Sequence, residues 1–365
     1  MNIGNGIPKR IITNNNDNEY NNNFEKNNIN HLYFVRILNN LIFLINLENI
    51  IIYNDNFNLK QKLYLNNINK NYFEFNKNYN NKIVYSKKDN FFILCGNNYE
   101  ELILFDIKQN TYFEFNIMEN NYLNYYENLE EKKINSKKIT ALELIELNNT
   151  YLICGCLDGD IIIYKIELKL INSSHNLFEI LNFYKELNYH MNEITFINYN
   201  YELNLLLSCS KDGYINIYTI NEFKLCNSIK INGFPRFGYL ICDSISYIFV
   251  YVNDEYFQYY TINGIPINKE KNSFSEISNP ILFKNNKNEY CLLFLDNQLR
   301  NIYIINVYEN NKIKNLLNTE YNQIHSFDLS EDHKFIISID MKGQNLYKFI
   351  DNKCNFNIYS DNILS

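Results

Sequence analysis

His190, Ser208, Ser210 and Asp212 fall in one short stretch and are the residue types of a Ser-His-Asp nucleophile, in which the acid orients an imidazole that takes the serine proton. That chemistry needs an exposed hydroxyl and donors for an oxyanion. Nothing in Leu205-Leu-Leu-Ser-Cys-Ser-Lys-Asp-Gly213 supplies either. Cys154-Gly-Cys156 resembles half a metal site, but zinc pairs usually hold two or more residues between their cysteines and need a second pair. The pair aligns with Ser208-Cys-Ser210 and reads as two small residues packed on one side of a strand. Adjacent residues of a strand point to opposite faces, so neither Glu100-Glu101 nor Glu130-Glu131 makes an acid–base dyad. The sequence predicts no catalytic residue, no metal and no cofactor.

These residues belong to a unit that recurs. From Ile194-Thr195 the chain passes through an apolar strand, the small-residue strand Leu205–Ser210, the Asp212-Gly213 turn and a β-branched strand ending at Tyr218. Ile139-Thr140 leads in the same way through Tyr151–Cys156 to Asp158-Gly159 and on to Tyr164, and Ile324 leads through Phe335–Ser338 to Lys342-Gly343 and Tyr347. From 139 to 158, 194 to 212 and 324 to 342 the spacings are 19, 18 and 18 residues. A fixed ruler of this kind marks a repeated supersecondary unit, and strands joined by tight turns make that unit a blade of a β-propeller.

Strand-rich units near 31–65, 72–107, 139–166, 190–220, 236–262, 277–308 and 322–350 predict an all-β fold, a single WD-repeat propeller of seven blades, each of four antiparallel strands, over residues 31–350. Residues 1–30 read as a closing strand, Ile7–Thr13, followed by an Asn-rich flexible segment, and 351–365 as a C-terminal tail. Met118–Lys138 and Leu168–Tyr189 read as insertions between units, the second with a helical turn at Leu177–Leu187.

Composition narrows the function classes. A formal charge of −7 and only four Arg, at 10, 36, 236 and 300, argue against nucleic acid as a partner, because phosphate affinity comes from clustered Lys and Arg. The greasiest run, Leu41–Tyr53, is broken by Asn46, Glu48 and Asn49 and falls short of a transmembrane span. The N-terminus lacks a secretory apolar region, so a cytoplasmic location is expected. Cys95, Cys154, Cys156, Cys209 and Cys291 lie in apolar strand patterns, as reduced core cysteines do.

The Asp, His and Ser positions resemble those of WD-repeat propellers, where an Asp, His, Ser/Thr and Trp form a buried hydrogen-bonded chain. The resemblance implies a blade-fixing network of His190, Ser208, Ser210, Asp212, Gly213 and Tyr218, and a counterpart with Asp158, Gly159 and Tyr164. Tyr218 stands where the family has Trp, so the indole donor is lost. His31, His175, His325 and His333 lack such a context and are expected in loops or on the surface. With no Trp and few Arg, the chain does not match sialidase-type enzymes, and with no Arg-Arg pair it does not match phosphoinositide-binding propellers.

A finer likeness lies downstream. Pro235-Arg236, Ile248-Phe-Val-Tyr-Val252, Tyr256–Gly264 and Ile324-His-Ser-Phe-Asp-Leu-Ser-Glu-Asp332 follow an order similar to the C-terminal propeller of BEACH-domain proteins, as do Phe92–Gly96 and Leu102–Phe105 upstream. The last repeat departs from that family at Ile339–Gly343, and no BEACH domain is found in this chain. The resemblance implies a non-catalytic scaffold in vesicle trafficking, with other proteins as partners and membrane association through them. The alternatives are a WD-repeat subunit of another assembly, such as a ribosome-biogenesis or ubiquitin-ligase complex, and a propeller enzyme. Segments leading into first strands and those joining middle strands share one face of a propeller. Lys137, Lys138, Tyr189, Met191, Asn192 and Gln323 are therefore the candidate partner-binding residues, beside His190.

Overall fold

The computed structural model describes residues 34–38, 41–45, 49–54, 59–64, 83–86, 88, 91–95, 101–106, 111–116, 137–166, 181–271, 274, 276–285, 287–298, 301–307, 314–317, 324–330, 333, 335–340 and 345–349. Ile7–Thr13, the Asn-rich segment, Lys342-Gly343 and the C-terminal tail lie outside them. The described elements are all strands, and no helix among them is long and apolar enough to cross a membrane.

The strands fall into consecutive antiparallel sheets. The first holds β1 (Phe34–Leu38), β2 (Leu41–Ile45), β3 (Asn49–Asn54) and β4 (Leu59–Tyr64), and the second β5 (Ile83–Ser86), β6 (Phe91–Cys95), β7 (Glu101–Asp106) and β8 (Thr111–Asn116). Next come β9 (Ile139–Glu146), β10 (Thr150–Cys156), β11 (Ile161–Ile166) and β12 (Leu181–Leu187), then β13 (Ile194–Asn200), β14 (Leu205–Ser210), β15 (Tyr214–Thr219) and β16 (Lys224–Lys230). The fifth has β17 (Pro235–Ile241), β18 (Tyr247–Val252), β19 (Tyr256–Thr261) and β20 (Pro266–Lys271), and the sixth β21 (Ile277–Lys284), β22 (Tyr290–Asp296), β23 (Asn301–Asn306) and β24 (Lys314–Leu317). The last described sheet has three strands, β25 (Ile324–Leu329), β26 (Phe335–Asp340) and β27 (Asn345–Phe349).

Two compact units result, Phe75–Ser275 and a unit of Met1–Glu74 with Glu276–Ser365. In Phe75–Ser275, β5, β9, β13 and β17 neighbour one another in turn, so the sheets stack through their faces. Ala141, Ile145, Ile153 and Ile163 of one sheet meet Ile197, Leu206 and Tyr218 of the next. Each such aliphatic chain contributes about 1.5–3 kcal/mol when fully buried. A strand sandwiched between two sheets is covered on both faces, which is why β10 and β14 read as nearly continuous apolar or small-residue runs. In the other unit, β21–β23 pack on β25 and β26 through Leu293, Phe327 and Ile336. There the first sheet joins the last, with the Ile37 N–H donating to Asp328 Oδ2 at 2.8 Å.

The Ile-Thr start of the repeat is a β-bulge. Pairing passes from Ile139 to Ala141 across Thr140, and from Ile194 to Phe196 across Thr195. The extra residue re-aims its side chain out of the ladder. The Thr140 hydroxyl donates to Ile194 O of the next sheet and the Thr195 hydroxyl to Pro235 O of the one after, both at 2.6 Å. Arg236 and His325 occupy the same bulge in their sheets, so that of the loop or surface position expected for His325 the loop is replaced by a strand, β25. The Leu177–Leu187 expectation of a helical turn is also corrected over its described part, because Leu181–Leu187 pairs with β11 as an outer strand.

Candidate functional site

Asp212 and Gly213 form the β14–β15 turn, and Gly213 has φ of +84°, where a side chain would strain the backbone. The turn brings Asp212 beneath the segment leading into β13. Its Oδ2 lies 2.9 Å from His190 Nδ1 and accepts the Met191 N–H at 3.0 Å, while its Oδ1 accepts the Tyr214 N–H at 2.9 Å. His190 Nε2 is 2.7 Å from Ser208 Oγ, and Ser208 Oγ is 3.3 Å from the Tyr218 hydroxyl. One proton assignment satisfies all three contacts: Tyr218 donates to Ser208, Ser208 to Nε2, and Nδ1–H to Asp212.

The electrostatics agree. Burial pushes the His190 imidazole below its ordinary value, although Asp212 pulls the other way. Burial alone would raise Asp212, but the Met191 N–H and the His190 ring hold it below the usual carboxylate value. Burial pushes the Tyr218 phenol up to about 12, so it keeps the proton it donates. The tyrosine hydroxyl thus occupies the donor place of the missing indole.

Asp212, His190 and Ser208 have the contact order of a hydrolase triad. Ser208, however, is fully buried and its hydroxyl is already engaged by His190 and Tyr218, so it has neither access to substrate nor a free lone pair aimed at one. Ser210 is also buried, donating to Asn192 O at 2.8 Å and accepting the Asp212 N–H at 3.1 Å. The arrangement ties a loop to a turn and leaves no nucleophile.

The neighbouring sheet holds its equivalent turn differently. Asp158 is exposed and, among the described residues, accepts only its own turn's Asp160 N–H, at 3.2 Å, so the expected counterpart network does not include it there. Cys154 and Cys156 stand where Ser208 and Ser210 would, and burial pushes both thiols up, so no polar relay can form through them. Tyr164 is buried in the apolar core. Gly159, at φ +100°, lies where a Cβ would come within 2.7 Å of His190 O, so the turn packs on the His190–Asn192 backbone. Lys137 is committed to Asp160 and Glu186. Burial would lower its ammonium, and the two carboxylates overcome that and raise it.

That removes Lys137 from the free docking residues. Lys138 is exposed, with its carbonyl accepting the Leu157 N–H at 2.7 Å. Met191 is 92% exposed on a backbone whose N–H is held by Asp212. Tyr189 is half exposed and rests its ring against Tyr218 at 6.0 Å, so it also covers the relay. Asn192 is exposed, its Oδ1 accepting the Glu193 N–H. Gln323 lies outside the described residues. Sequence reading missed Leu157, which is half exposed in the turn packed on this loop. Its signal was a leucine directly before Asp-Gly, where a turn calls for polar residues.

Among solved structures, the β-propeller domain of Cps50 (Swd1) from Myceliophteria thermophila aligns with a TM-score of 0.59 at 12% identity, over 86% of this chain and 95% of that one. The chain has the WD40-like β-propeller fold. A chain of the mitotic checkpoint complex matches this propeller equally, with a TM-score of 0.59 at 11% identity over 90% of this chain and 87% of the other. No family model and no curated protein matches the sequence. At such identities the likeness fixes the propeller's architecture, and partners must be argued from its surface.

Proposed function

We propose that this propeller is a non-catalytic platform for other proteins, docking them on the face of the Asp-Gly turns. One observation carries the reading: Met191 and Leu157, large and apolar, stand in water on turns that the relay and the Gly159 contact hold rigid, beside the cation of Lys138. Exposed Met and Leu on a fixed backbone lose little entropy on binding and gain the burial that anchors an interface. One similar structure, the checkpoint complex, is itself a multiprotein assembly.

Within that reading, a BEACH-type trafficking scaffold in the cytoplasm, reaching endomembranes through its partners, is the finer proposal. Its support is the residue order of Pro235-Arg236, Tyr256–Gly264 and Ile324–Asp332. A WD-repeat subunit of another assembly is the competing proposal. Cross-linked partners of the full chain should be compared with those of a Lys138→Glu, Leu157→Ser, Met191→Asp variant, which leaves the relay intact. Loss of partners from a variant with an unchanged melting curve supports the platform. Identical partner sets reject this face, and partners confined to ribosome-assembly or ubiquitin-ligase factors reject the trafficking scaffold.

A further inference from the structure

The tripeptide Ile-Asn-Gly occurs at Ile231-Asn232-Gly233 and again at Ile262-Asn263-Gly264. A third Asn-Gly, Asn5-Gly6, lies outside the described residues. Asparagine before glycine is the pair in which a backbone can attack its own side chain, because a glycine nitrogen with no Cβ beside it reaches the Asn Cγ unhindered. In both described copies the Asn side chain is exposed and the glycine has a positive φ, +109° at Gly233 and +87° at Gly264. Local sequence therefore treats the two sites alike.

The fold separates them. Asn263-Gly264 forms the β19–β20 turn, where the Gly264 N–H donates to Thr261 O at 2.9 Å, the Ile265 N–H to Thr261 Oγ1 at 3.0 Å and the Thr261 N–H to Ile265 O at 2.8 Å. Gly264 is half-buried, and a Cβ there would stand 3.1 Å from the Ile229 side chain. Asn232-Gly233 instead leads into β17 between two clamps. The Ile231 N–H donates to Gly213 O at 2.9 Å, and the Phe234 N–H to Asn253 Oδ1 at 2.8 Å. Between them Gly233 is exposed, and among the described residues its N–H has no acceptor and the Asn232 side chain has no partner.

That difference governs the chemistry. The nucleophile is the deprotonated peptide nitrogen, so an N–H held by a carbonyl must first lose that hydrogen bond. Gly264 has such a bond to break and Gly233 has none.

We infer that Asn232 is a site of self-modification, losing its side-chain amide to the Gly233 nitrogen, while the turn protects Asn263. Water removes the Gly233 N–H proton as the nitrogen bonds to Asn232 Cγ. The Cγ–Nδ2 bond then breaks, Nδ2 leaves as ammonia with the released proton, and a succinimide remains. One water opens that ring: addition at Cγ gives aspartate, and addition at the main-chain carbonyl gives isoaspartate. No oxidant or reductant is needed. Either product sets a carboxylate beside the Asp212-Gly213 turn, because the Gly233 carbonyl oxygen lies 3.1 Å from where a Gly213 Cβ would stand. Isoaspartate also routes the chain through an added methylene in a segment fixed at both ends, which loosens the join between that turn and β17. The inference is independent of the docking platform, because its readout is covalent.

The full chain is aged in mildly alkaline heavy-oxygen water and mapped by peptide mass spectrometry. Asn232 should take up heavy oxygen about fivefold faster than Asn263, the rate equivalent of about 1 kcal/mol for one hydrogen bond broken. In urea, where neither turn persists, the two rates should become equal. The melting midpoint of the wild type should fall on ageing, and that of Asn232→Ser should hold. Equal rates in the folded chain, faster conversion of Asn263, or a ratio that persists in urea would each overturn the inference. An aged wild type that carries isoaspartate and melts as the fresh chain does would overturn the loosening.

Discussion

Two adjacent sheets, β9–β12 and β13–β16, make the same Asp-Gly turn and fasten it by different chemistry. In β13–β16 the carboxylate of Asp212 is drawn under the entry loop and linked through His190 and Ser208 to Tyr218. In β9–β12 the serines are cysteines, Asp158 faces water, and the entry segment is pinned by Lys137 between Asp160 and Glu186. A turn motif in sequence therefore specifies a backbone shape, and the residues behind it decide whether that shape is held by a buried relay or by apolar packing with an ion pair. The difference has a functional side, because the relay also holds Met191 in place.

The two sheets share a seam, and damage there should have the largest effect. A Cβ on Gly155 of β10 would come within 2.5 Å of Ile194 and close to Ile197, both buried in the next sheet. Gly155→Val should cost about 3 kcal/mol through overpacking, measured by urea unfolding. A cost under about 0.5 kcal/mol would mean that the sheets are not packed this closely.

The relay comes next. Ser208→Ala should cost about 2 kcal/mol, because it strands His190 Nε2 and the Tyr218 hydroxyl in a buried site. Asp158→Ala, at the equivalent turn, should leave the melting midpoint unchanged. Equal effects would erase the contrast.

The smallest effect depends on pH. Glu143 keeps part of its surface in water, yet its carboxyl is held at about 8 by burial. A carboxyl raised above its unfolded value of 4.5 gives its full stability below that value and loses it as pH rises through about 8. Solvent screening reduces the effect, so Glu143→Gln should gain about 1–2 kcal/mol near pH 9 and nothing below pH about 4.5. His190 runs the other way. Its folded value lies below 6.5, so its contribution is present above that pH and is lost as pH falls through 6.5 toward the folded value. Wild type minus His190→Ala, followed across pH, isolates that slope.

The sequence announced the inner strands and the Asp-Gly turns because those residues are buried and periodic, as in β13 and β15. The outer strands β8, β12, β16, β20 and β24 went unread. Pro266-Ile-Asn-Lys-Glu-Lys271 is almost wholly exposed, so nothing in its pattern distinguishes an edge strand from a loop, and only its pairing to β19 makes it one. The His190, Ser208 and Asp212 members of the relay were legible through the resemblance to WD-repeat propellers. The loss of Trp suggested a broken chain, yet a phenol O–H donates as well as an indole N–H. Thr140 and Thr195 were visible as a repeated dipeptide, but their role as inter-sheet donors depends on a bulge that no local pattern reveals.

A coupled buried relay from Asp212 through His190 and Ser208 to Tyr218 holds β13–β16 together. A double-mutant cycle of His190→Ala and Asp212→Ala, read as unfolding free energy near pH about 8, tests it directly. A coupling of at least about 1 kcal/mol between the two substitutions is the expected result; additivity to within about 0.3 kcal/mol would show two independent contacts and contradict the relay.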